Sequence, residues 1–333
     1  MSLKLMRAAV FKEYGNPTDE LQNMELQLPE PKPGEVRIKL IMSPVHNHDL
    51  LLIRGEYGYR PELPMVAGSE GVGTIDKLGA HVEGLKVGQR VAVSDVPGVW
   101  AEYFLADQKK IITIPDEVPD DLAAQLLGMP LSAVTALDEL DARPRDWIVV
   151  NAANGAVGRT IAQIAEARDI HVASIVNRPQ AKADLEAEGI GYVFVADADG
   201  AWLDQVRRIV DGGRVAGGID MVSGPMAGQP VNLISQAGTL LSFGAISGLP
   251  MQIDPSHLIF KQICVKGFWN AQRQNSITTE RRLKLIHELV RHAVAGKLKL
   301  PVSRAFSLDR AGEAAAASAE KRNGKVMIAA RAA

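Results

Sequence analysis

The chain has 333 residues, 47% of them hydrophobic and 23% charged, a balance that fits a globular protein with two cored domains. A formal net charge of −2 gives no general attraction to nucleic acid or to an anionic membrane, so neither is expected as a partner. The single cysteine, Cys264, excludes an intramolecular disulfide and a cysteine-rich metal site.

The opening segment, Met1 to Arg7, carries no signal-peptide core and no Arg/Ser-rich transit pattern, and no apolar run is long enough to span a bilayer. A cytoplasmic protein is the expectation. From Ala8 to about Pro119 short strands alternate with Gly and Pro breaks. Glu35 to Ile41 alternates polar and apolar residues, and the runs at 70–75, 89–93 and 101–105 continue the pattern, which reads as a barrel-like β domain. Around Ala123 the character changes to helix, broken at Gly128-Met129-Pro130.

Trp147 to Asn151 is a short run rich in β-branched residues and reads as a buried strand. A turn containing Ala153, Gly155, Ala156, Val157 and Gly158 follows, then helical spacing from Arg159 to Arg168 and a second β-branched run from Ile170 to Val176. This βαβ unit carries a dinucleotide fingerprint in which Ala153 replaces the first glycine. Gly155 lets the backbone approach a pyrophosphate, Gly158 lets helix pack on strand, and the helix start presents N–H groups to the anion. About 20 positions on, where an NAD enzyme places an acid, the sequence reads Asn177-Arg178. An arginine there can fork onto a 2′-phosphate, which favours NADPH as cofactor; the alternative is an exposed loop arginine.

The alternation continues with a helix at 181–188, a strand at 192–195, a helix at 202–210, and strands at 218–222 and 239–243. Such alternation implies an α/β parallel sheet, doubly wound, with ligands at the carboxyl ends of strands; Gly224, Phe243, Gly244, Ala245 and Ile246 then neighbour the cofactor. The run 263–269 reads as a last edge strand, and joining it to its copy in a homodimer would cover it. Residues 278–295 form an amphipathic helix, and strand-like segments at 303–306 and 325–329 flank an Ala-rich helix at 311–318. Domain bounds of 1–122, completed by 271–333, and 123–270 follow from this reading.

A β domain, a dinucleotide domain and a return to the first resemble the medium-chain dehydrogenase/reductases. Gly68-Ser69-Glu70-Gly71-Val72-Gly73 and Leu85-Lys86-Val87-Gly88-Gln89-Arg90-Val91 are similar to that family's N-terminal signature. The resemblance implies a GroES-like β-barrel catalytic domain and a Rossmann cofactor domain. Zinc members place cysteine where this chain has His46 and histidine where it has Ser69. His46 and His48 could offer two imidazoles and Glu70 a carboxylate, but residues two apart in an irregular loop rarely face one metal, so no metal is expected. Arg54-Gly55-Glu56-Tyr57-Gly58, Pro61-Glu62-Leu63-Pro64, Leu258-Ile259-Phe260-Lys261 and Lys266-Gly267-Phe268-Trp269 resemble the mitochondrial-type 2-enoyl thioester reductases. That resemblance implies a small-molecule enoyl thioester substrate, Tyr57 as proton donor, and Met129, Ser132, Phe268, Trp269, Asn270 and Lys325 around the cofactor. Two departures are Met129, where the family has asparagine, and His46-Asn47-His48-Asp49, where it has Asn-Pro-Ser-Asp. Quinone oxidoreductases share the tyrosine, so a quinone substrate stays open, as does a protein that binds NADPH without turnover. Arg281, Arg282 and Lys284 either meet acyl-carrier phosphates or form a solvated helix face.

Overall fold

Strand Glu35–Pro44 organises the opening segment. Its alternation buries Val36, Ile38 and Leu40 against Ile75, Val91, Val93 and Phe104, a core in which each fully buried large side chain contributes about 1.5–3 kcal/mol. Antiparallel neighbours Glu70–Leu78 and Tyr103–Asp107 pair with it, and Arg90–Ser94 and Ile111–Thr113 extend the sheet. From the far end of the chain, Val302–Ser307 and Lys325–Ala329 join the same sheet; Met327 lies opposite Pro44, and Ile328 opposite Ser43. A smaller sheet holds Gln22–Gln27, Leu5–Phe11 and Met65–Val66.

The second sheet is wholly parallel. Its order is Val193–Val195, His171–Val176, Trp147–Val150, Val215–Asp220, Thr239–Ser242, Cys264–Gly267, or 3-2-1-4-5-6 when counted along the sequence. This doubly wound order reverses between Trp147–Val150 and Val215–Asp220, where dinucleotides bind. Trp147, Val149, Ile175, Phe194, Trp202 and Leu240 form its core. Helix Ala156–Ala167 packs through Val157, Ile161 and Ile164, spaced four and three apart on one buried stripe.

The computed structural model describes residues 4–197 and 199–330. They divide into one unit running to Gly128 and resuming at Leu300, and a second unit, Met129–Lys299. These bounds differ from the sequence reading, which gave 271–299 to the barrel and 123–128 to the nucleotide domain. Helix Thr279–Val294 belongs with the parallel sheet because Arg281 pairs with Asp138, and Arg168 bridges Asp138 and Glu288. Smaller differences have local causes. The helix expected from Arg159 starts at Ala156, because its first turn is itself part of the glycine motif. The strand expected at 218–222 is Val215–Asp220, with Gly217 and Gly218 inside it: a Cβ on Gly217 would lie 2.3 Å from the Thr239 carbonyl. The last strand covers only Cys264–Gly267.

Candidate active site

In the first unit, helix Asn47–Arg54 follows directly on the central strand, with His46 at its N-cap and Gly55 at its C-cap. The sequence gave no helical signal at 46–49. Asp49, in the first turn, accepts the His46 backbone N–H at 3.0 Å, a local closure that a polar four-residue run does not advertise. The His46 imidazole is 1% exposed and its Nε2 lies 2.5 Å from Glu70 Oε2. Glu70 begins the strand antiparallel to Glu35–Pro44, and its Oε1 accepts N–H bonds from Leu127 at 2.8 Å and Gly128 at 2.6 Å. Gly128 is required for this contact: a Cβ there would sit 2.2 Å from Glu70 Oε2.

On the other side of the ring, Lys325 Nζ stands 3.4 Å from His46 Nδ1. It is brought there by strand pairing, since Val45 donates its N–H to the Val326 carbonyl at 2.9 Å. Burial pushes the Glu70 carboxyl up to about 8, against the pull of the Gly128 and Leu127 amides. Burial, then Arg322, brings the Lys325 ammonium down to about 8. The imidazole between them is held well below its ordinary value by burial first and Lys325 second, so it stays neutral. Burial thus raises the acid and lowers the amine on opposite sides of one neutral ring. Each nitrogen of the His46 ring has a partner, Glu70 at Nε2 and Lys325 at Nδ1.

A second file runs beside the first. His48 Nε2 lies 2.8 Å from Ser69 Oγ, and Ser69 Oγ donates to Asp49 Oδ1 at 2.6 Å. The His46 and His48 rings stack at 4.8 Å and 18°. Tyr57, half-buried just past the helix, has its ring 6.0 Å from His48 and 5.5 Å from Tyr59. Burial and the neighbouring Tyr57 raise the Tyr59 phenol above its ordinary value.

In the second unit, several residues expected at a cofactor follow the carboxyl ends of parallel strands. Gly155 is the N-cap of helix Ala156–Ala167, whose first turn holds Ala156, Val157 and Gly158. A Cβ on Gly158 would lie 2.5 Å from Ala153 Cα and from its carbonyl oxygen, whereas one on Gly155 would meet only the Ala152 carbonyl at 3.4 Å. Gly158 is therefore needed for packing, and Gly155 leaves open space at a helix N-terminus, where an anion fits. The buried Arg159 is engaged elsewhere, in a two-point contact with Glu188 at 2.6 and 2.9 Å. Asn177 and Arg178 follow strand His171–Val176, with Arg178 at the N-cap of helix Pro179–Ala187. Phe243 stacks on Phe268 at 5.1 Å and 11°, and Gly244 passes close over Met221, while Ala245 and Ile246 are exposed. Trp269 is 40% exposed, and Asn270 begins helix Asn270–Ser276. Met129 and Ser132 lie on helix Met129–Glu139, Ser132 fully buried. At the switch point, Asn151 Nδ2 donates to the buried Asp220 at 2.5 Å, tying two strand ends together.

Two family descriptions match this chain: "Alcohol dehydrogenase GroES-like domain" over residues 32–116 and "Zinc-binding dehydrogenase" over 156–287. A Caenorhabditis elegans mitochondrial enoyl-[acyl-carrier-protein] reductase is 29% identical over 316 residues, covering 91% of this chain and 90% of the relative. A mycobacterial quinone oxidoreductase superimposes with a TM-score of 0.84 at 26% identity, covering 97% of this chain and 99% of the other. The complex of Etr1p with NADP and crotonyl-CoA gives a TM-score of 0.86 at 21% identity, covering 98% and 100%, and speaks to the fold alone. The chain belongs to the medium-chain dehydrogenase/reductase superfamily. Its two architectures, GroES-like and Rossmann, are those of the superfamily.

Some members of the superfamily bind zinc, and a catalytic zinc needs three protein ligands and an open position. The residues here do not fit it. His46 Nε2 faces Glu70, His48 Nε2 faces Ser69, and the Lys325 amine occupies the side of His46 from which a second cation would be repelled. Among the described residues, no group of three or more His, Cys, Asp or Glu could hold a metal ion. Lys325 lies in the unit of His46 rather than with the glycine turn, which differs from the grouping drawn from the sequence. Ser69 and Asp49 were missed, and His46, His48 and Glu70 were read together only as candidate metal ligands; the signal was a polar cluster, His46 to Asp49, just past the strand Glu35–Pro44.

Proposed function

We propose that the protein is an NADPH-dependent reductase of the conjugated C=C bond of an enoyl thioester, acting without a metal ion. The observation that carries this reading is similarity to enoyl-[acyl-carrier-protein] reductases along nearly the whole chain, 27% identical over 301 residues for the human protein and 29% for the worm protein. The open helix N-terminus at Gly155 suits a pyrophosphate, and Arg178 suits a 2′-phosphate.

When bound, NADPH supplies the hydride that reaches the β-carbon of the substrate. The chain's own residues do the rest. The N–H groups at the start of helix Ala156–Ala167 hold the pyrophosphate, and Arg178 selects the phosphorylated ribose. The stacked Phe243 and Phe268 give an apolar wall. Tyr57 delivers its phenolic proton to the α-carbon as negative charge develops on the thioester. Among the described residues no helix is long and apolar enough to cross a membrane.

A quinone substrate is the second reading, supported by the mycobacterial quinone oxidoreductase at 26% identity. NADPH and NADH oxidation followed with crotonyl-CoA, an enal and naphthoquinones separates them. Turnover with crotonyl-CoA, preference for NADPH, and its loss in Arg178→Ala are the expected results. Quinone turnover alone would replace the reading, and binding of NADPH with no turnover would remove the enzyme. Tyr57→Phe should lower kcat by about 100-fold or more, and an unchanged rate would remove Tyr57 from the chemistry.

We also propose a homodimer through strand Cys264–Gly267. It ends the sheet order, so its outer backbone edge has no neighbour strand among the described residues, and Val265 and Trp269 beside it are 37% and 40% exposed. Ile259 and Phe260, on the preceding helix Pro255–Phe260, add apolar surface, 63% and 75% exposed.

A further inference from the structure

Three side chains in the first unit are arranged more tightly than packing requires. Ser69 Oγ has one proton and donates it to Asp49 Oδ1 at 2.6 Å. Its contact with His48 Nε2 at 2.8 Å must therefore be an N–H donated by the imidazole to the hydroxyl oxygen. Asp49 is 2% exposed, and its second oxygen is anchored by the His46 backbone N–H, so the file is held at its far end. The consequence is a fixed tautomer. Nε2 keeps its hydrogen, and Nδ1 is the nitrogen left to exchange a proton. The ring is supported from one face by His46, and the Tyr57 ring is 6.0 Å away at 38°. His48 is 28% exposed, which gives it access to solvent protons, whereas His46 has none.

We propose that His48 returns a proton to Tyr57 in each turnover, with Ser69 and Asp49 as positioning residues that fix its tautomer. The idea rests on Tyr57 acting as proton donor in enoyl reduction. In that step the Tyr57 O–H bond breaks and a bond from hydrogen to the α-carbon forms, while the hydride from bound NADPH forms the bond to the β-carbon. The phenolate then takes the Nδ1 proton of the His48 imidazolium, re-forming O–H and breaking N–H. Neutral His48 takes one proton from water, and the Nε2 hydrogen never leaves. Asp49 Oδ1 lies 3.6 Å from His48 Nε2, so the carboxylate closes the file on the Nε2 side. Neither Glu70 nor Lys325 is in this file; they face His46.

The test uses the full-length protein, NADPH and crotonyl-CoA. His48→Gln keeps an N–H toward Ser69 but cannot relay a proton, and His48→Ala leaves space for free imidazole. Expected is a fall in kcat of about 100-fold in both, with KM for crotonyl-CoA changed by less than about threefold. The solvent deuterium isotope effect on kcat should rise, and added imidazole should restore at least about tenfold of the rate to His48→Ala but none to His48→Gln. Ser69→Ala should lose less, because it frees the tautomer without removing the ring. NADPH-induced fluorescence change confirms that each variant folds. An active parent whose variants keep kcat within about twofold overturns the relay alone. Loss without imidazole rescue and without a changed isotope effect also overturns it, in favour of a packing role. A parent inactive toward crotonyl-CoA overturns the enoyl reductase reading, and the relay with it.

Discussion

Replacing Glu70 with glutamine tests the electrostatics of the buried site most directly. Burial raises the carboxyl from 4.5 to about 8. A group raised in the folded state contributes stability that is complete below 4.5 and lost as pH rises through about 8. At about 1.4 kcal/mol for each tenfold change in proton affinity, the ceiling is about 5 kcal/mol. His46 opposes it over part of that range. Its folded value lies well below 6.5, so folding excludes a proton that the unfolded chain binds, and stability rises with pH up to about 6.5. The two contributions offset each other there, and the Glu70 loss stands alone from 6.5 to about 8. Over that window it amounts to about 2 kcal/mol. Lys325, lowered from 10.5 to about 8, adds a rise only above 8. Glu70→Gln retains an oxygen for the Leu127 and Gly128 amides but cannot ionise. Urea unfolding at fixed ionic strength, at several pH values between 6.5 and 8, should show the parent losing about 2 kcal/mol relative to the variant. Parallel profiles for the two proteins would refute the reasoning.

The paired glycines of the nucleotide turn should separate packing from binding. Gly158→Ala forces a Cβ against Ala153 and should cost about 1–3 kcal/mol of stability, read by thermal unfolding. Gly155→Ala should leave stability within about 0.5 kcal/mol yet weaken NADPH at least about tenfold in a fluorescence titration; unchanged affinity would remove Gly155 from the cofactor site. Light scattering should give a mass of two chains for the parent and one for Val265→Asp, and a monomeric parent would dismiss the edge-strand dimer.

Local pattern carried the second unit further than the first. The β-branched run at Trp147, the glycine turn, and Arg178 after the next strand are each local in sequence, and each lies where the pattern placed it because a βαβ unit is closed by neighbouring residues. The polar segment Asn270–Ser276 was invisible as a helix because it has no apolar period. The Gln22–Gln27 strand was hidden for a similar reason: most of its residues face solvent and its partner is the first strand.

The sequence by itself determined a β domain followed by an alternating α/β domain with its glycine turn, since those depend on short-range periodicity and on residues with one steric purpose, such as Gly158; the superfamily followed from the resemblance of its motifs. Tertiary structure decided the chemistry of the first unit. Lys325 reaches His46 across 279 positions only because Lys325–Ala329 pairs with Glu35–Pro44, and Glu70 acquires its raised proton affinity from burial, against the pull of the Leu127 and Gly128 amides. Burial and proximity between remote segments set the charge states of these groups, and neither is encoded by any single stretch of the chain.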